Sequence, residues 1–214
     1  MRNISPSIIA GDFSKLDREI KEIEDLGITR LHLDIMDGNF VPNLTFGPLL
    51  VEGIRKLTKM HLECHLMINN PKKYLNDYIS AGGDTVIVHI ENNPEFEENL
   101  SEIKRQGVKG GIAFNPDTPI KNILPFVNKM DYVLIMSVFP GFCGQTFIES
   151  TIDSMSEFVN QKKKNSSLVV AVDGGVNIQT IQQVYDTGVD VSIVGSGLLG
   201  AKDRKKRYQE LMNA

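Results

Sequence analysis

The chain is poor in cysteine: only Cys64 and Cys143 occur in 214 residues. Their spacing fits neither a disulfide framework nor a cysteine-ligated zinc knuckle, and a reducing, cytoplasmic setting is expected. An excess of positive charge is also missing. With a formal net charge of -4, the chain has no global attraction for nucleic acid or anionic membranes, so any phosphate must be held locally. No apolar run approaches the length that spans a bilayer, and the start, Met1 to Ser7, lacks the apolar core of a signal peptide. Gly/Ser-rich and low-complexity stretches are absent too, which leaves no marked linker and predicts one domain over residues 1–214.

What is present is alternation. Short β-branched runs beginning near Ile4, Arg30, His61, Thr85, Val108, Tyr132, Leu168 and Val189 are separated by amphipathic helical stretches. That pattern denotes a parallel sheet with helical crossovers. The first helix has both ends written in: Asp12 or Ser14 caps it, Leu16, Ile20, Ile23 and Leu26 keep helical period, and Gly27 stops it. Pro71, Pro94 and Pro119 mark the starts of later helices.

Eight units build either a closed barrel or an open doubly wound sheet, and the polar residues decide between them. In Arg30 to Gly38, strand alternation puts His32, Asp34 and Met36 on one face. In Glu63 to Met67 it does the same for Glu63, His65 and Met67, with Cys64 turned away. The apolar run Leu168 to Val172 ends on Asp173-Gly174-Gly175. Charged and imidazole groups at the C-terminal ends of several strands converge only at a barrel mouth, so the expected fold is an α/β (β/α)8 TIM barrel. His32, Asp34, His65 and Asp173 together suit one divalent cation per subunit, Zn, Fe, Mn or Co. A lone histidine is usually a packed polar residue; four convergent groups on three strands argue for a site.

The chain resembles the ribulose-phosphate 3-epimerase family nearly end to end. The segments that carry the likeness are Ser5 to Ala10 with Asp12-Phe13, His32 to Gly38 with Phe40 to Thr45, and Glu63 to Met67. Met136 to Val138, Pro140 to Phe142 with Gly144-Gln145, Val172 to Val176, and Gly195-Ser196 complete them. The resemblance implies a barrel, a divalent metal on His32, Asp34, His65 and Asp173, and interconversion of ribulose 5-phosphate with xylulose 5-phosphate in the pentose phosphate pathway. It also implies a homo-oligomer, a substrate-contacting Ser7, and an apolar lining of Met36, Met67 and Met136.

Inverting a carbon beside a ketone needs an acid/base group on each face, and Asp34 and Asp173 meet that need, one ionised and one protonated. Carboxylates that also bind a cation are weak bases, so a metal-stabilised enediolate is expected to share the work. Backbone N–H groups of Gly174, Gly175, Gly195 and Ser196, after strands seven and eight, are the expected phosphate holders. Gly141, Phe142, Cys143 and Gly144 add donors or a lid, and His65 and Asp173 also meet the substrate. His89 either lines the mouth or is solvated at the rim and is left out of the site, and the basic run Lys202 to Arg207 is assigned to a solvated helix face.

Glu63, Cys143 and Phe139 depart from the family pattern, where aspartate, glycine and a smaller or polar residue are usual. Glu63 is read as a carboxylate orienting His65, and Phe139 as a residue bearing on substrate preference. Allulose 6-phosphate epimerisation is the alternative reaction. A Schiff-base aldolase or an Asp-x-Lys decarboxylase lacks its lysine here, since Met36 holds that position. A barrel that only binds a sugar phosphate would leave the acid/base pair idle.

Overall fold

The computed structural model describes residues 2–91 and 93–214. Eight strands appear at the expected places: β1 (Asn3–Pro6), β2 (Arg30–Met36), β3 (His61–Met67), β4 (Thr85–His89), β5 (Lys109–Phe114), β6 (Tyr132–Met136), β7 (Val169–Asp173) and β8 (Val191–Val194). Neighbouring strands pair in parallel, in the order β1-β8-β7-β6-β5-β4-β3-β2. The bridge Ser7↔His32 brings β1 to β2 and nearly closes the (β/α)8 barrel. Among the described residues no helix is long and apolar enough to cross a membrane.

The helices are α1 (Leu16–Asp25), α2 (Pro48–Leu57), α3 (Leu75–Ser80), α4 (Phe96–Arg105), α5 (Thr151–Gln161), α6 (Ile181–Thr187), α7 (Ser196–Leu199) and α8 (Arg204–Asn213). Asp12 caps the 3-10 turn Phe13–Lys15 that runs into α1, its Oδ1 accepting from the Ser14 N–H at 3.0 Å, while α1 itself, with Lys15 at its N-cap, has no side-chain cap. Gly27, at φ 80°, stops it in the left-handed region glycine alone enters cheaply. The crossover after β5 differs from expectation, for it holds two 3-10 turns, Ile120–Asn122 and Leu124–Phe126, in place of an α-helix. Pro125 lacks an N–H and clashes with the carbonyl four residues back, so an α-helix begun near Ile120 cannot continue through it. Asn165 covers the exposed end, donating to the Val127 and Met130 carbonyls at 2.9 and 3.1 Å.

One core fills the space between strands and helices, with Leu31, Leu33, Ile54, Leu62 and Phe158 fully buried. The barrel interior is divided. Ser5, His32, Glu63, His65 and Thr85, from β1 to β4, are buried polar groups. Ala113, Leu134, Ala171, Val191 and Ile193, from β5 to β8, form an apolar cluster with Ile87, Tyr132 and Met136. Gly111 makes room for Tyr132, because a Cβ there would sit 3.1 Å from the tyrosine Cβ.

The N-terminal end of the barrel is fastened by a repeated device. Asp84, Asp131 and Asp190 each stand just before an even-numbered strand, and each exchanges two hydrogen bonds with the second residue of the preceding strand. Their N–H groups donate to the carbonyls of Leu62, Gly110 and Val170 at 2.9, 2.9 and 2.8 Å. Their carboxylates accept from the N–H groups of the same three residues at 2.8, 3.0 and 2.8 Å. A cation from the preceding helix or its end then pairs with each: Arg55 at 2.9 Å, Lys104 at 3.1 Å and Lys162 at 2.5 Å.

The basic run of α8 is only partly a solvated face. Arg204 reaches Glu19 and Glu22 of α1 at 3.0 and 2.9 Å, and Arg207 donates to the Gly197 carbonyl at 3.1 Å. These arginines dock the helix, while Lys202, Lys205 and Lys206 stay exposed.

Asp190→Ala leaves the Val170 N–H without its side-chain acceptor and Lys162 without its partner. A loss of about 1–3 kcal/mol is expected in urea unfolding, and an unchanged midpoint would show that this clamp contributes nothing.

Candidate active site

The register of β2 against β3 sets Asp34 beside His65 and His32 beside Glu63. Because each pair shares an inward face, both imidazoles and one carboxylate meet at the C-terminal end of the barrel. His65 Nδ1 lies 3.2 Å from Asp34 Oδ1 and 3.3 Å from His32 Nε2. His32 Nε2 is 3.5 Å from the same Asp34 oxygen, and both of these nitrogens are 3.9 Å from Asp173 Oδ2. One ligand atom from each of His32, Asp34, His65 and Asp173 falls within 4.8 Å of the others, close enough that a single metal ion could be held.

The four groups do not share one protonation preference. Burial opposes charge on Asp34, yet the adjoining His32 and His65 hold its carboxyl well below the usual range. Burial, and then the Asp34 charge, raise Asp173 to about 7. Burial would likewise lower His32, but Asp34, Glu63 and Asp173 outweigh it and bring it to about 10. His65, buried beside two other imidazoles, falls to about 4. Two carboxylates are thus driven apart, one towards the ionised form and one towards the protonated form.

Glu63 does not orient His65 as expected; its Oε2 lies 3.4 Å from Nδ1 of His32. The same residue accepts from Ser5 Oγ at 2.7 Å, Tyr132 Oη at 3.1 Å and Arg30 Nε at 2.8 Å. The register explains the change, since Glu63 stands directly across from His32. Its reach, longer than that of the usual aspartate, lets one carboxylate serve the guanidinium and the imidazole together. His89 also departs from expectation. It is 3% exposed, not at a solvated rim, and its Nε2 lies 2.9 Å from Nε2 of His65. The alternation of Thr85, Ile87 and His89 carries the same inward signal as His32 and His65.

Above the cluster lies a cavity of about 300 Å³. Asp34 and Asp173 open into it, with Met36, Met67 and Met136 as apolar walls. Ser7 lines it as well, and its hydroxyl donates to Asp34 Oδ2. Gly174, Gly175, Gly195 and Ser196 form one side, and Gly141, Phe142, Cys143 and Gly144 form another. His65 is fully buried beneath the cavity and is not among its described lining residues. Gly174 is dictated sterically: at φ 117°, an added Cβ would stand 2.5 Å from Val138 Cγ2. The loop after β6 is tied down by Asn43, which donates to the Gly141 carbonyl at 2.6 Å, and by Gln145, which donates to the Phe139 and Phe142 carbonyls. Burial and the two aspartates push the Cys143 thiol up to about 11, so it is no thiolate at neutral pH. Phe139, half exposed, is not among the described lining residues.

A parallel barrel whose strand ends gather two carboxylates and two imidazoles under a glycine-rimmed cavity has the layout of a barrel enzyme. The model of the ribulose-phosphate 3-epimerase family matches residues 3–199. The ribulose-phosphate 3-epimerase of Bacillus subtilis is 41% identical over 213 residues, covering 99% of this chain and 98% of that protein. That of Aquifex aeolicus is 40% identical over 212 residues, covering 99% and 96%. Among solved structures, thiamine phosphate pyrophosphorylase from Pyrococcus furiosus superposes with a TM-score of 0.66 at 20% identity over 99% of this chain and 93% of that one, a likeness of fold alone. The chain belongs to the ribulose-phosphate 3-epimerase family.

Glu63 offers a test of the buried charge. Its pKa, lowered to about 2 by His32 and Arg30 against the cost of burial, contributes stability that is present above its ordinary value of 4.5 and lost as pH falls through about 2. Glu63→Gln leaves the partly buried Arg30 without its counter-charge and is expected to cost about 3 kcal/mol at neutral pH. It should also flatten the fall in stability below pH 4.5. Urea midpoints across pH measure both, and a parallel curve for the variant would contradict the assignment.

Proposed function

We propose that this chain inverts C3 of a ketose phosphate, interconverting D-ribulose 5-phosphate and D-xylulose 5-phosphate. The observation that carries the reading is the pairing of Asp34, held ionised, with Asp173, raised to about 7, on the wall of one cavity. An epimerase needs one carboxylate to accept the C3 proton and a second, protonated, to return one from the other face. In one direction Asp34 accepts and Asp173 donates; in the reverse direction the roles exchange. The Ser7 hydroxyl fixes the Asp34 carboxylate for that task.

His32, Asp34, His65 and Asp173 fit a divalent cation of the zinc, iron, manganese or cobalt kind, being a mixed nitrogen and oxygen set with its ligand atoms within 4.8 Å. Such a cation, when bound, supplies Lewis-acid stabilisation of the negative charge that develops on the ketone oxygen. Glu63 orients His32 for that set. The three methionines exclude water from the reacting carbon. Backbone N–H groups of Gly174, Gly175, Gly195 and Ser196 receive the phosphate, and Gly141 to Gly144 cover the sugar.

Asp173→Asn should lower turnover of ribulose 5-phosphate about 10²–10⁴-fold and abolish deuterium uptake from solvent at C3, with thermal unfolding preserved. Unchanged exchange would remove Asp173 from the proton transfer. A panel of phosphorylated pentoses and hexoses tests the substrate, and a strong preference for allulose 6-phosphate would overturn the pentose reading. Chelator treatment should suppress turnover and added divalent cation should restore it; full activity in protein shown to be metal-free would refute the cation's part.

A further inference from the structure

His89 and Glu91 extend the cluster away from the cavity, and neither is among the described residues that line it. His65 Nε2 and His89 Nε2 are 2.9 Å apart, with the rings stacked at 5.0 Å and 23°. On its far side, His89 Nδ1 lies 3.0 Å from Glu91 Oε2. The other oxygen of Glu91 accepts from the Asn115 N–H and from Thr118 Oγ1, each at 2.5 Å. Phe40 packs over the His89 ring at 4.7 Å. A chain of hydrogen bonds, buried at His65 and His89 and reaching the surface at Glu91, therefore runs from the cluster on β2 and β3, across the end of β4, to the loop after β5.

With both imidazoles neutral, the carboxylate of Glu91 gives the chain a direction. An ionised carboxylate only accepts, so His89 must carry its proton on Nδ1. The Nε2 of a neutral His89 is then an acceptor, and the short contact with His65 needs a proton on Nε2 of His65. A neutral His65 that carries its proton there turns a lone pair on Nδ1 towards His32, Asp173 and the Asp34 oxygen at 3.2 Å; Asp34, which also only accepts, pulls against that tautomer, and the shorter contacts through His89 to Glu91, at 2.9 and 3.0 Å, pull towards it. We propose that His89 and Glu91 are positioning residues that hold His65 in its Nε2–H tautomer and so present its Nδ1 lone pair to the cluster. The consequence for cation binding rests on the reading of that cluster as a metal site; the tautomer itself does not.

Glu91→Gln tests the direction, because the two donors on Oε1 hold the new carbonyl oxygen in place and leave the amide NH2 facing His89. An NH2 group donates to His89 Nδ1, which moves the His89 proton to Nε2 and the His65 proton to Nδ1. Only four histidines occur in the chain, so long-range ¹⁵N–¹H correlation on histidine-labelled, metal-free protein can resolve each ring. Wild type should show His89 as Nδ1–H and His65 as Nε2–H, and His65 found as Nδ1–H would overturn the proposal without any variant. In Glu91→Gln both tautomers should reverse, and Zn²⁺ affinity, measured by competition with a chromophoric chelator, should fall about 10–100-fold. Loss of packing alone would leave the tautomers as they were. Unchanged tautomers in the folded variant would therefore overturn the proposal. If wild type binds no Zn²⁺, the cluster reading fails while the tautomers still decide the relay.

Discussion

Asp34 and Asp173 come from strands three places apart round the barrel, and their oxygens converge on the same two imidazole nitrogens. Two carboxylates so close, both largely shielded from solvent, cannot both stay ionised without compensation. Most of the polar interior follows from that constraint. His32 is drawn towards the charged form between Asp34 and Glu63, and Glu63 is in turn held by Arg30, Ser5 and Tyr132. Asp173, farther from His32 and beside the Asp34 charge, takes the opposite course and is raised. A difference in surroundings separates two chemically identical groups into an acid and a base, and the proposed proton exchange depends on it.

The divided interior shows how the fold carries this concentration of charge. Polar groups occupy the β1 to β4 side, whereas β5 to β8 contribute an apolar cluster. Tyr132 joins the halves, its ring in the apolar cluster and its hydroxyl on Glu63. The reciprocal aspartate clamps at the opposite end of the barrel tie adjacent strands together through Asp84, Asp131 and Asp190. Stability is thereby drawn partly from the end that does no chemistry, which leaves the other end free to hold groups chosen for reactivity.

Strand starts, the cap at Asp12, the stop at Gly27 and the convergence of His32, Asp34, His65 and Asp173 were legible because each rests on local spacing or on strand alternation. The partner of Glu63 was not legible, since alternation gives the face of a side chain but not the register between strands. The register of β2 against β3 is what sets Glu63 beside His32. His89 carried the right parity and was set aside only because an isolated histidine near a strand end is usually solvated. The crossover after β5 reads as a helix because Pro119 marks a helix start, and Pro125 decides otherwise. The aspartate clamps escaped notice because their meaning lies in pairing across strands.

The central claim is that two different carboxylates serve the two faces of one carbon. Single-turnover conversion of ribulose 5-phosphate deuterated at C3, run in ordinary water, tests it most directly. Removal by Asp34 and return by Asp173 predict xylulose 5-phosphate carrying protium at C3. Product that retains the substrate's deuterium would mean that one group serves both faces, and would contradict the account.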